Sequence, residues 1–240
     1  MYNLSWNTDG YILGATMAFT ALEISSEDKF LTLDEIQNLN RSSINAFDQG
    51  AVFNNSVSAQ RVSDHFRNLI NIAPFTLLIF EKGRKEAGVI GLMLAETLAL
   101  TTGTTLVVKK MVRRIRPLAY NNKFSLEEKM KAGTTRSFFS GHTAHVSSLS
   151  FFTAKIIHDL YPNSKWRKVV WASAIVIPAF AGYMRYKAGK HFPSDILVGY
   201  GVGAVFGILI PQFHKISNDK LAIGAIPISN GAMLNLSLKF

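Results

Sequence analysis

Six apolar stretches dominate the chain, and polar or charged residues separate them. They cover residues 10–22, 68–80, 87–108, 143–157, 169–184 and 196–211. Only the third is long enough to cross a bilayer alone, because a spanning helix needs about 20 apolar residues. The shorter stretches are rich in Ala, Gly, Ser and Thr, as in GYGVGAVFGILI, and small residues let membrane helices pack closely. The pattern predicts an all-α, six-helix transmembrane bundle, with a soluble helical bundle as the alternative.

The polar connections predict which helix ends lie together. Residues 81–86 and 158–168 are short, so the helices that they join are antiparallel neighbours. The other three connections, at 23–67, 109–142 and 185–195, must then lie on the opposite face. The first of these three is amphipathic, and we expect it to form short helices on the rim of the bundle.

The chain is expected to divide into three parts. Residues 1–64 hold the first helix and the amphipathic rim segment, residues 65–214 form a helical core, and residues 215–240 form a C-terminal tail. The end of the tail, LNLSLKF, alternates apolar and polar residues, which predicts a short β-like strand.

Composition narrows the class of protein. Apolar residues make up 48% of the chain and charged residues 18%, so there is ample apolar surface to bury and disorder is excluded. With no cysteine, a disulfide scaffold, thiol catalysis and cysteine-ligated zinc are excluded as well. The formal net charge of +10 indicates an anionic partner: nucleic acid, a phosphorylated substrate or an acidic lipid.

Three polar clusters at the predicted helix ends carry the candidate chemistry. They are Lys109 with Arg116 and Pro117; Ser140 with Gly141 and His142; and Arg185 with His191 and Asp195. Taken singly they are unremarkable: a basic flank after a helix, an N-cap and a polar loop. All three in this order are far rarer by chance, and the predicted connections put them on the same face. The basic residues concentrate around these clusters rather than along an exposed helix with interleaved aromatics, so we expect no nucleic-acid partner.

The residue types suit phosphoryl transfer. Arginine and lysine donate charge-assisted hydrogen bonds to phosphate, and the N-terminus of a helix is a natural anion site. His191 has Asp195 four residues on, which can accept one ring N–H and leave the other nitrogen free to attack phosphorus. His142 has no such partner nearby in sequence and is better placed to protonate a leaving oxygen. Since these motifs contain no carboxylate cluster for a metal, we expect metal-free transfer through a phosphohistidine, without a cofactor.

Written as Lys-x6-Arg-Pro, Ser-Gly-His and Arg-x5-His-x3-Asp, the clusters resemble the signature motifs of the type 2 phosphatidic acid phosphatase superfamily. That superfamily also includes bacterial non-specific acid phosphatases and vanadium haloperoxidases. The resemblance covers residues 65–211 and implies an all-helical fold, with His191 as nucleophile and His142 as acid. It implies that Asp195 belongs to the catalytic residues with the two histidines. It also implies that the phosphate is bound by Lys109, Arg116, Ser140, Gly141 and Arg185.

Two positions depart from the superfamily pattern. Phe139 stands where proline usually precedes Ser-Gly-His, and Met184 stands where serine often precedes the third-motif arginine. Neither position supplies a proton or charge to the reaction, so we expect these departures to affect substrate preference rather than activity.

The leading function is hydrolysis of phosphomonoester or diphosphate groups of membrane lipids. Phosphatidic acid, phosphatidylglycerol phosphate, a polyprenyl diphosphate and the phosphates of lipid A are the candidate substrates. The alternative is a soluble, non-specific acid phosphatase of the same superfamily. A vanadium haloperoxidase is disfavoured, because such enzymes are usually much longer.

The charge of the connections gives conflicting indications of orientation. EKGRKE and KWRK are short basic loops, which the positive-inside rule places in the cytoplasm. The Lys and Arg count is nevertheless higher on the catalytic face, where phosphate binding accounts for much of it. Together with the family resemblance, the loops predict an integral protein of the bacterial inner membrane with its active site facing the periplasm.

Four polar residues outside the motifs have structural interpretations. We expect His145 to pack beside His142 on one helical face, Glu96 to pair with a hydroxyl inside the bundle, and His214 to lie at a surface or interface. Arg114 extends the basic field, but no motif assigns it a role.

Overall fold

A computed structural model describes residues 1–24 and 30–216, together with the backbone of residues 221–228 and 231–238. Parts of the predicted rim segment and tail lie outside the described residues: 25–29, 217–220, 229–230 and 239–240. The structure is mostly helical, as the apolar pattern predicts.

The secondary structure of the described residues consists of α-helices, 3₁₀ turns and one hairpin. The α-helices are α1 (Trp6–Ile24), α2 (Leu33–Gln37), α3 (Val57–Leu69), α4 (Glu81–Lys85), α5 (Ala87–Val112), α6 (Leu126–Lys129), α7 (Gly141–Leu160), α8 (Arg167–Lys187) and α9 (Pro193–His214). The 3₁₀ turns are Arg41–Ser43, Gln49–Phe53, Ile70–Ile79, Pro117–Tyr120 and Ala132–Thr135. Strands β1 (Leu221–Ile228) and β2 (Gly231–Leu238) pair antiparallel, with Leu221 opposite Leu238.

The second apolar stretch differs from its prediction. Instead of one helix over residues 68–80, α3 ends at Leu69 and the chain continues as a 3₁₀ segment, Ile70–Ile79, before α4. Pro74 lies inside that segment, and proline has no N–H to donate and clashes with the preceding turn of an α-helix. The predicted boundary between residues 64 and 65 falls inside α3, and the division of the chain into three parts stays a prediction.

Helix α7 is the centre of the bundle, with α5, α8 and α9 packed around it. Gly199, Gly203 and Gly207 repeat every fourth residue along α9 and face it. A Cβ atom on these glycines would lie 2.5, 2.2 and 2.4 Å, respectively, from backbone oxygens of α7 and its N-cap. Such close approach needs glycine, and it fixes the register of the two helices. The N-terminus of α9 is thereby held against the N-terminus of α7.

Three segments of the described chain have the length and apolar composition to cross a membrane. They are Ala87–Tyr120, Arg167–Lys187 and Pro193–His214. Large apolar side chains such as Ile175 on α8 and Leu197 on α9 are exposed on the outside of the bundle. Exposed apolar surface of this extent fits contact with lipid rather than water.

The end of the bundle that holds the short connections has its own polar network. The Tyr2 hydroxyl donates to Asp159 Oδ2 at 3.0 Å, and Lys215 Nζ donates to Asp159 Oδ1 at 2.8 Å. Lys155 also pairs with Asp159, and the Met1 amine pairs with Glu86 at 2.8 Å. These contacts attach the N-terminal residues to the ends of α5, α7 and α9.

Candidate active site

The three sequence clusters meet at one end of the bundle, around a cavity of about 180 Å³. Lys109 comes from the last turns of α5, Arg116 from the loop that follows, and His191 from the α8–α9 connection. The cavity is lined by Arg67, Thr101, Thr102, Thr105, Leu106, Lys109, Arg116, Gly141, His142, His145 and His191. Ser140, Arg185 and Asp195 are buried beside it.

The N-terminus of α7 forms one wall of this cavity. Ser140 is the N-cap, and its hydroxyl accepts the backbone N–H of Thr143 at 3.4 Å and contacts the Thr143 hydroxyl at 2.9 Å. A Cβ on Gly141 would lie 3.0 Å from Thr105 Cγ2, so glycine keeps this wall close to α5. The first backbone N–H groups of a helix carry partial positive charge and have no partner within the helix. The wall is therefore suited to an anion.

Three cations surround the same space. Lys109 Nζ donates to the carbonyl of Arg136 at 2.7 Å, and the side chain of Lys109 is almost entirely buried. Nε of Arg116 and Nε of Arg185 are buried, and no hydrogen-bond acceptor among the described residues reaches either of them. Buried N–H groups normally have partners, so these two unsatisfied donors indicate a site for the oxygens of an anion.

His191 is 1% exposed, and its Nδ1 lies 3.6 Å from Asp195 Oδ2. This distance is longer than a hydrogen bond, so the hydrogen bond expected from the four-residue spacing is not formed. Other donors occupy the carboxylate of Asp195: Arg114 Nη1 at 2.6 Å, Ser137 Oγ at 2.5 Å and the Phe192 N–H at 3.0 Å. Asp195 faces the imidazole as a fixed negative charge.

The protonation of His191 is set by its surroundings. Burial, and then the positive charges of Arg116, Lys109 and Arg185, hold the pKa of the His191 imidazole well below its ordinary value. Each of these effects disfavours the charged form. His191 is therefore neutral at physiological pH, which is the state that a nitrogen nucleophile requires.

His142 has a carboxylate partner that sequence spacing did not reveal. Its Nε2 lies 3.0 Å from Asp64 Oδ1, and the same oxygen accepts from Arg185 Nη1 at 3.2 Å. Asp64 lies on α3, 78 positions before His142, in the segment predicted as a rim. The amphipathic pattern of that segment was the available signal, but it does not identify which polar residue faces the site.

Arg114 is the second residue that sequence reasoning left without a role. Besides Asp195, it donates through Nη2 to Asp48 Oδ2 at 2.7 Å and through Nη1 to Ser194 Oγ at 2.7 Å. Burial raises the pKa of the Asp48 carboxyl, but hydrogen bonds from Ser194 and Arg114 outweigh it and hold that pKa below its ordinary value. Arg114 thus joins the 3₁₀ segment after Asp48 to the start of α9.

The polar residues outside the motifs are placed differently from expectation in two cases. His145 contacts Asn71 Oδ1 at 3.0 Å and lines the cavity beside His142. His214, expected at a surface, is 2% exposed. Glu96, expected to pair with a hydroxyl, instead lies 3.3 Å from His214 Nε2. Helix packing brings these two residues together because α5 and α9 are neighbours in the bundle.

Comparison with known proteins agrees with this architecture. The model of the PAP2 superfamily matches residues 90–219, which is more than half of the chain and includes all three motifs. The chain belongs to the PAP2 superfamily.

Three curated relatives share parts of the sequence. The chain is 28% identical over 168 residues to a lipid A 4'-phosphatase of Porphyromonas gingivalis, covering 69% of this chain and 68% of that protein. It is 29% identical over 140 residues to an undecaprenyl-diphosphatase of Sulfolobus acidocaldarius, covering 58% and 60%. It is 28% identical over 117 residues to phosphatidylglycerophosphatase B of Bacillus subtilis, covering 45% and 50%.

A solved structure shares the fold. The crystal structure of a transmembrane PAP2-type phosphatidylglycerolphosphate phosphatase from Bacillus subtilis superimposes with a TM-score of 0.52 at 21% identity. The match covers 86% of this chain and 98% of that chain. With three described segments able to cross a membrane, the protein is an integral membrane protein.

Proposed function

We propose that the protein is a metal-independent phosphatase that hydrolyses phosphomonoester or diphosphate groups of membrane lipids. The observation that carries the proposal is the cavity that both motif histidines and two motif cations line at the end of an apolar bundle. A neutral buried imidazole faces unsatisfied guanidinium donors there, which is what phosphoryl transfer to nitrogen requires.

A groove beside the cavity suits the apolar part of such a substrate. It has a volume of about 240 Å³, lies between α1 and α5, and shares Thr102 and Leu106 with the cavity. Phe19 of α1 packs over Gly103 of α5, where a Cβ would lie 3.0 Å from the Phe19 ring. We propose that the phosphate lies in the cavity while an acyl or prenyl chain lies in this groove.

In the first step, a nitrogen of His191 attacks phosphorus. Because Nδ1 faces Asp195, Nε2 is the attacking atom. The N–P bond forms as the P–O bond to the lipid breaks, and the imidazolium form of His142 gives its proton to the departing oxygen. Burial and Arg185 lower the pKa of His142, and Asp64 together with the bound phosphate dianion stabilises the imidazolium form against them. Lys109, Arg116 and Arg185 stabilise the charge on the phosphoryl oxygens, together with the N–H groups at Gly141 and His142.

In the second step, water replaces the histidine. His142, which lost its proton in the first step, accepts a proton from the water molecule while the water oxygen attacks phosphorus. The N–P bond breaks, its electron pair returns to His191, and inorganic phosphate leaves. Asp64 holds His142 in place through both steps, and Asp195 supplies a fixed negative charge that stabilises the positive charge on the phosphorylated imidazole.

The activities named for the relatives support the substrate class. Their substrates are lipid A, undecaprenyl diphosphate and phosphatidylglycerophosphate, which differ in their apolar parts. A phosphate or diphosphate on a membrane lipid is what they have in common, and it is the class proposed for this chain.

A substrate panel tests the proposal. Phosphatidic acid, phosphatidylglycerol phosphate, undecaprenyl diphosphate and lipid A are compared with short-chain phosphates in identical detergent micelles. We expect kcat/KM to rise strongly with chain length, because binding energy from the tail promotes reaction at the phosphate. Equal cleavage of p-nitrophenyl phosphate and every lipid would contradict the lipid proposal and support a non-specific acid phosphatase.

We further propose six membrane crossings, with the second formed by α3 and the 3₁₀ segment Ile70–Ile79, and the active site facing the periplasm of a bacterial inner membrane. The short basic connections at the opposite end, which include Lys82 and Lys165, support a cytoplasmic location for that end. The part of the rim segment that precedes α3 then lies on the periplasmic surface.

Single cysteines test the orientation cleanly, since the chain has none of its own. Lys131→Cys places an exposed thiol at the catalytic end, and Lys165→Cys places one at the other end. An impermeant maleimide added to intact spheroplasts should label the first variant and not the second. The reverse pattern would place the active site in the cytoplasm.

A further inference from the structure

A second polar cluster lies inside the bundle, away from the phosphate cavity. Asp9 of α1, Glu96 of α5 and His214 of α9 bring one ligand atom each to within 4.8 Å of one another. His214 Nε2 is 2.7 Å from Asp9 Oδ1 and 3.3 Å from Glu96 Oε2. None of these three residues lines the phosphate cavity, and Glu96 and Lys109 are about 20 Å apart along α5 at 1.5 Å per residue. The cluster is therefore distinct from the phosphate-binding end of that cavity.

The tautomer of His214 follows from the contact made by its other ring nitrogen. Nδ1 lies 2.9 Å from the carbonyl oxygen of Ile210, and a carbonyl oxygen can only accept. Nδ1 therefore carries a proton, and in a neutral imidazole Nε2 presents a lone pair. The backbone also holds the residue, since the His214 carbonyl accepts the N–H of Asn3 at 2.8 Å. A backbone acceptor on the far nitrogen is the usual support of a metal-binding histidine.

The lone pair of Nε2 faces two carboxylates. Three electron-pair donors at this separation repel one another unless a proton or a cation lies between them. A proton on Nε2 can form a hydrogen bond to Asp9 Oδ1 at 2.7 Å. Glu96 Oε2 then still has no partner, because no donor among the described residues reaches it with hydrogen-bond geometry. The side chain of Glu96 is only 9% exposed, so its oxygen is withdrawn from solvent. A metal ion accepts an electron pair from all three atoms.

We propose that Asp9, Glu96 and His214 bind a divalent transition-metal ion of the Zn²⁺ type. An imidazole and two carboxylates are ligands that Zn²⁺ takes at about 2.0–2.2 Å, and a small widening of the cluster accommodates those distances. The side chain of Asp9 is 21% exposed and gives the ion access from solvent. The two negative charges offset the charge of the ion inside the bundle.

The ion would join three helices that are distant in sequence. It holds the first turn of α1 against the middle of α5 and the last turn of α9. α1 also forms one side of the groove assigned to the lipid chain. The proposed role is structural, because the cluster contributes nothing to the cavity that contains His191.

Zinc binding by the full-length protein in detergent micelles tests the proposal. The protein carries a tag without histidine, is stripped with EDTA, and is dialysed against buffered Zn²⁺ before metal analysis. Glu96→Gln and Asp9→Asn remove ligand charge at nearly constant shape, and Glu86→Gln is the matched control at the start of α5. No substrate is present, so the result is independent of the proposed phosphatase activity.

We expect wild type and Glu86→Gln to retain one more Zn²⁺ per chain than the two ligand variants. Zn²⁺ should also raise the thermal midpoint of wild type and Glu86→Gln by several degrees, and not that of the ligand variants. The affinity of the two ligand variants for Zn²⁺ should fall by at least about 10–100-fold, which is the loss that follows removal of a residue that merely supports a metal ligand. If Glu96→Gln does not fold, Asp9→Asn, at a partly exposed position, still provides the comparison of Zn²⁺ content and thermal midpoint with wild type. Equal Zn²⁺ content and equal midpoints in all four proteins would overturn the proposal and leave a shared proton in the cluster.

Discussion

His191 and His214 lie at the two ends of the same helix and have opposite surroundings. His191 comes two residues before α9 begins, among the cations Lys109, Arg116 and Arg185. His214 is the last residue of α9 and lies between the carboxylates Asp9 and Glu96. Both imidazoles are buried, at 1% and 2% exposure. Burial alone therefore does not separate their functions.

The difference between the two histidines is the sign of the neighbouring charge. Cations around His191 favour a neutral ring and attract phosphate, so the nitrogen is available as a nucleophile. The carboxylates Asp9 and Glu96 around His214 instead suit the proposed metal ion. Helix α9, at about 33 Å for its 22 residues, is long enough to cross the hydrocarbon of a bilayer and so keeps the two sites apart.

The largest effect is expected from removing the nucleophile. His191→Ala should lower turnover by at least about 10⁴-fold, because no other group takes over the covalent step. It should also abolish acid-labile phosphorylation of the protein after brief exposure to radiolabelled substrate. His158→Ala, at the opposite end of the bundle, is the control and should retain turnover. Wild-type turnover in His191→Ala would contradict the mechanism.

Removing the proton donor should have a smaller effect that depends on the substrate. We expect His142→Ala to lower kcat by about 10²–10⁴-fold for alkyl phosphates, whose leaving oxygen needs a proton. An activated aryl phosphate should recover part of the loss, because its leaving group departs without one. The two substrates are compared by steady-state kinetics. Equal losses for both would assign His142 to phosphate binding instead.

Arg114 should matter more than its neighbour Arg113. Arg114→Ala leaves Asp48 and Asp195, both fully buried, without their cation. Breaking a buried pair costs about 3–5 kcal/mol, and we expect about 3 because the Arg114 side chain is 24% exposed. Thermal unfolding in micelles should show a midpoint several degrees lower. Arg113→Ala is the matched control, since the Arg113 side chain donates only to the Lys110 carbonyl among the contacts described. Equal midpoints in the two variants would contradict the role given to Arg114.

The pH dependence of kcat/KM tests how the neighbouring cations affect the pKa of His191. Because the His191 pKa is lowered, protonation removes the nucleophile only well below pH 6.5, and wild-type kcat/KM should show no acid limb from this group near 6.5. Arg116→Gln removes a charge that lowers this pKa, so the acid limb should move upward toward 6.5. The profiles are corrected for ionisation of the substrate phosphate. A wild-type limb at 6.5, unmoved by Arg116→Gln, would show that the cations do not control His191.

The smallest change in turnover is expected from chelation, which should act differently on the sites at the two ends of α9. Brief treatment with EDTA should change turnover by less than about twofold, since the proposed transfer to His191 uses no metal. If His214 holds a metal ion, the same treatment lowers the thermal midpoint of wild type and leaves that of Glu96→Gln unchanged. Loss of turnover that magnesium restores would indicate a metal-dependent phosphatase chemistry instead.

Much of the fold could be predicted from local features of the sequence. The apolar stretches gave five of the long helices, because helix formation depends on runs of neighbouring residues and on caps such as Ser140. The exception, at residues 68–80, is also local: Pro74 interrupts the α-helix. The motif residues Lys109, His142 and His191 were predicted to share a face, and the structure places them around one cavity.

The partners of these residues were not predictable. Asp64 lies 78 positions from His142, Asp48 lies 66 positions from Arg114, and Asp9 lies 205 positions from His214. Sequence spacing indicates which residues share one face of a helix. It does not indicate which side chain of another helix packs against that face. The spacing of His191 and Asp195 correctly predicted that the two side chains are neighbours. Other donors occupy the Asp195 carboxylate, however, and the distance from His191 Nδ1 to Asp195 Oδ2 is 3.6 Å.

The sequence by itself determined five of the long helices, the membrane setting and the set of motif residues, because apolar runs and short-range spacing encode these directly. The tertiary structure alone decided the charge around each buried histidine. That charge depends on how α1, α3, α5 and α9 are rotated and offset against one another. Close packing through glycines such as Gly203 fixes α9 against α7, and the packing of the other helices then brings cations to His191 and carboxylates to His214.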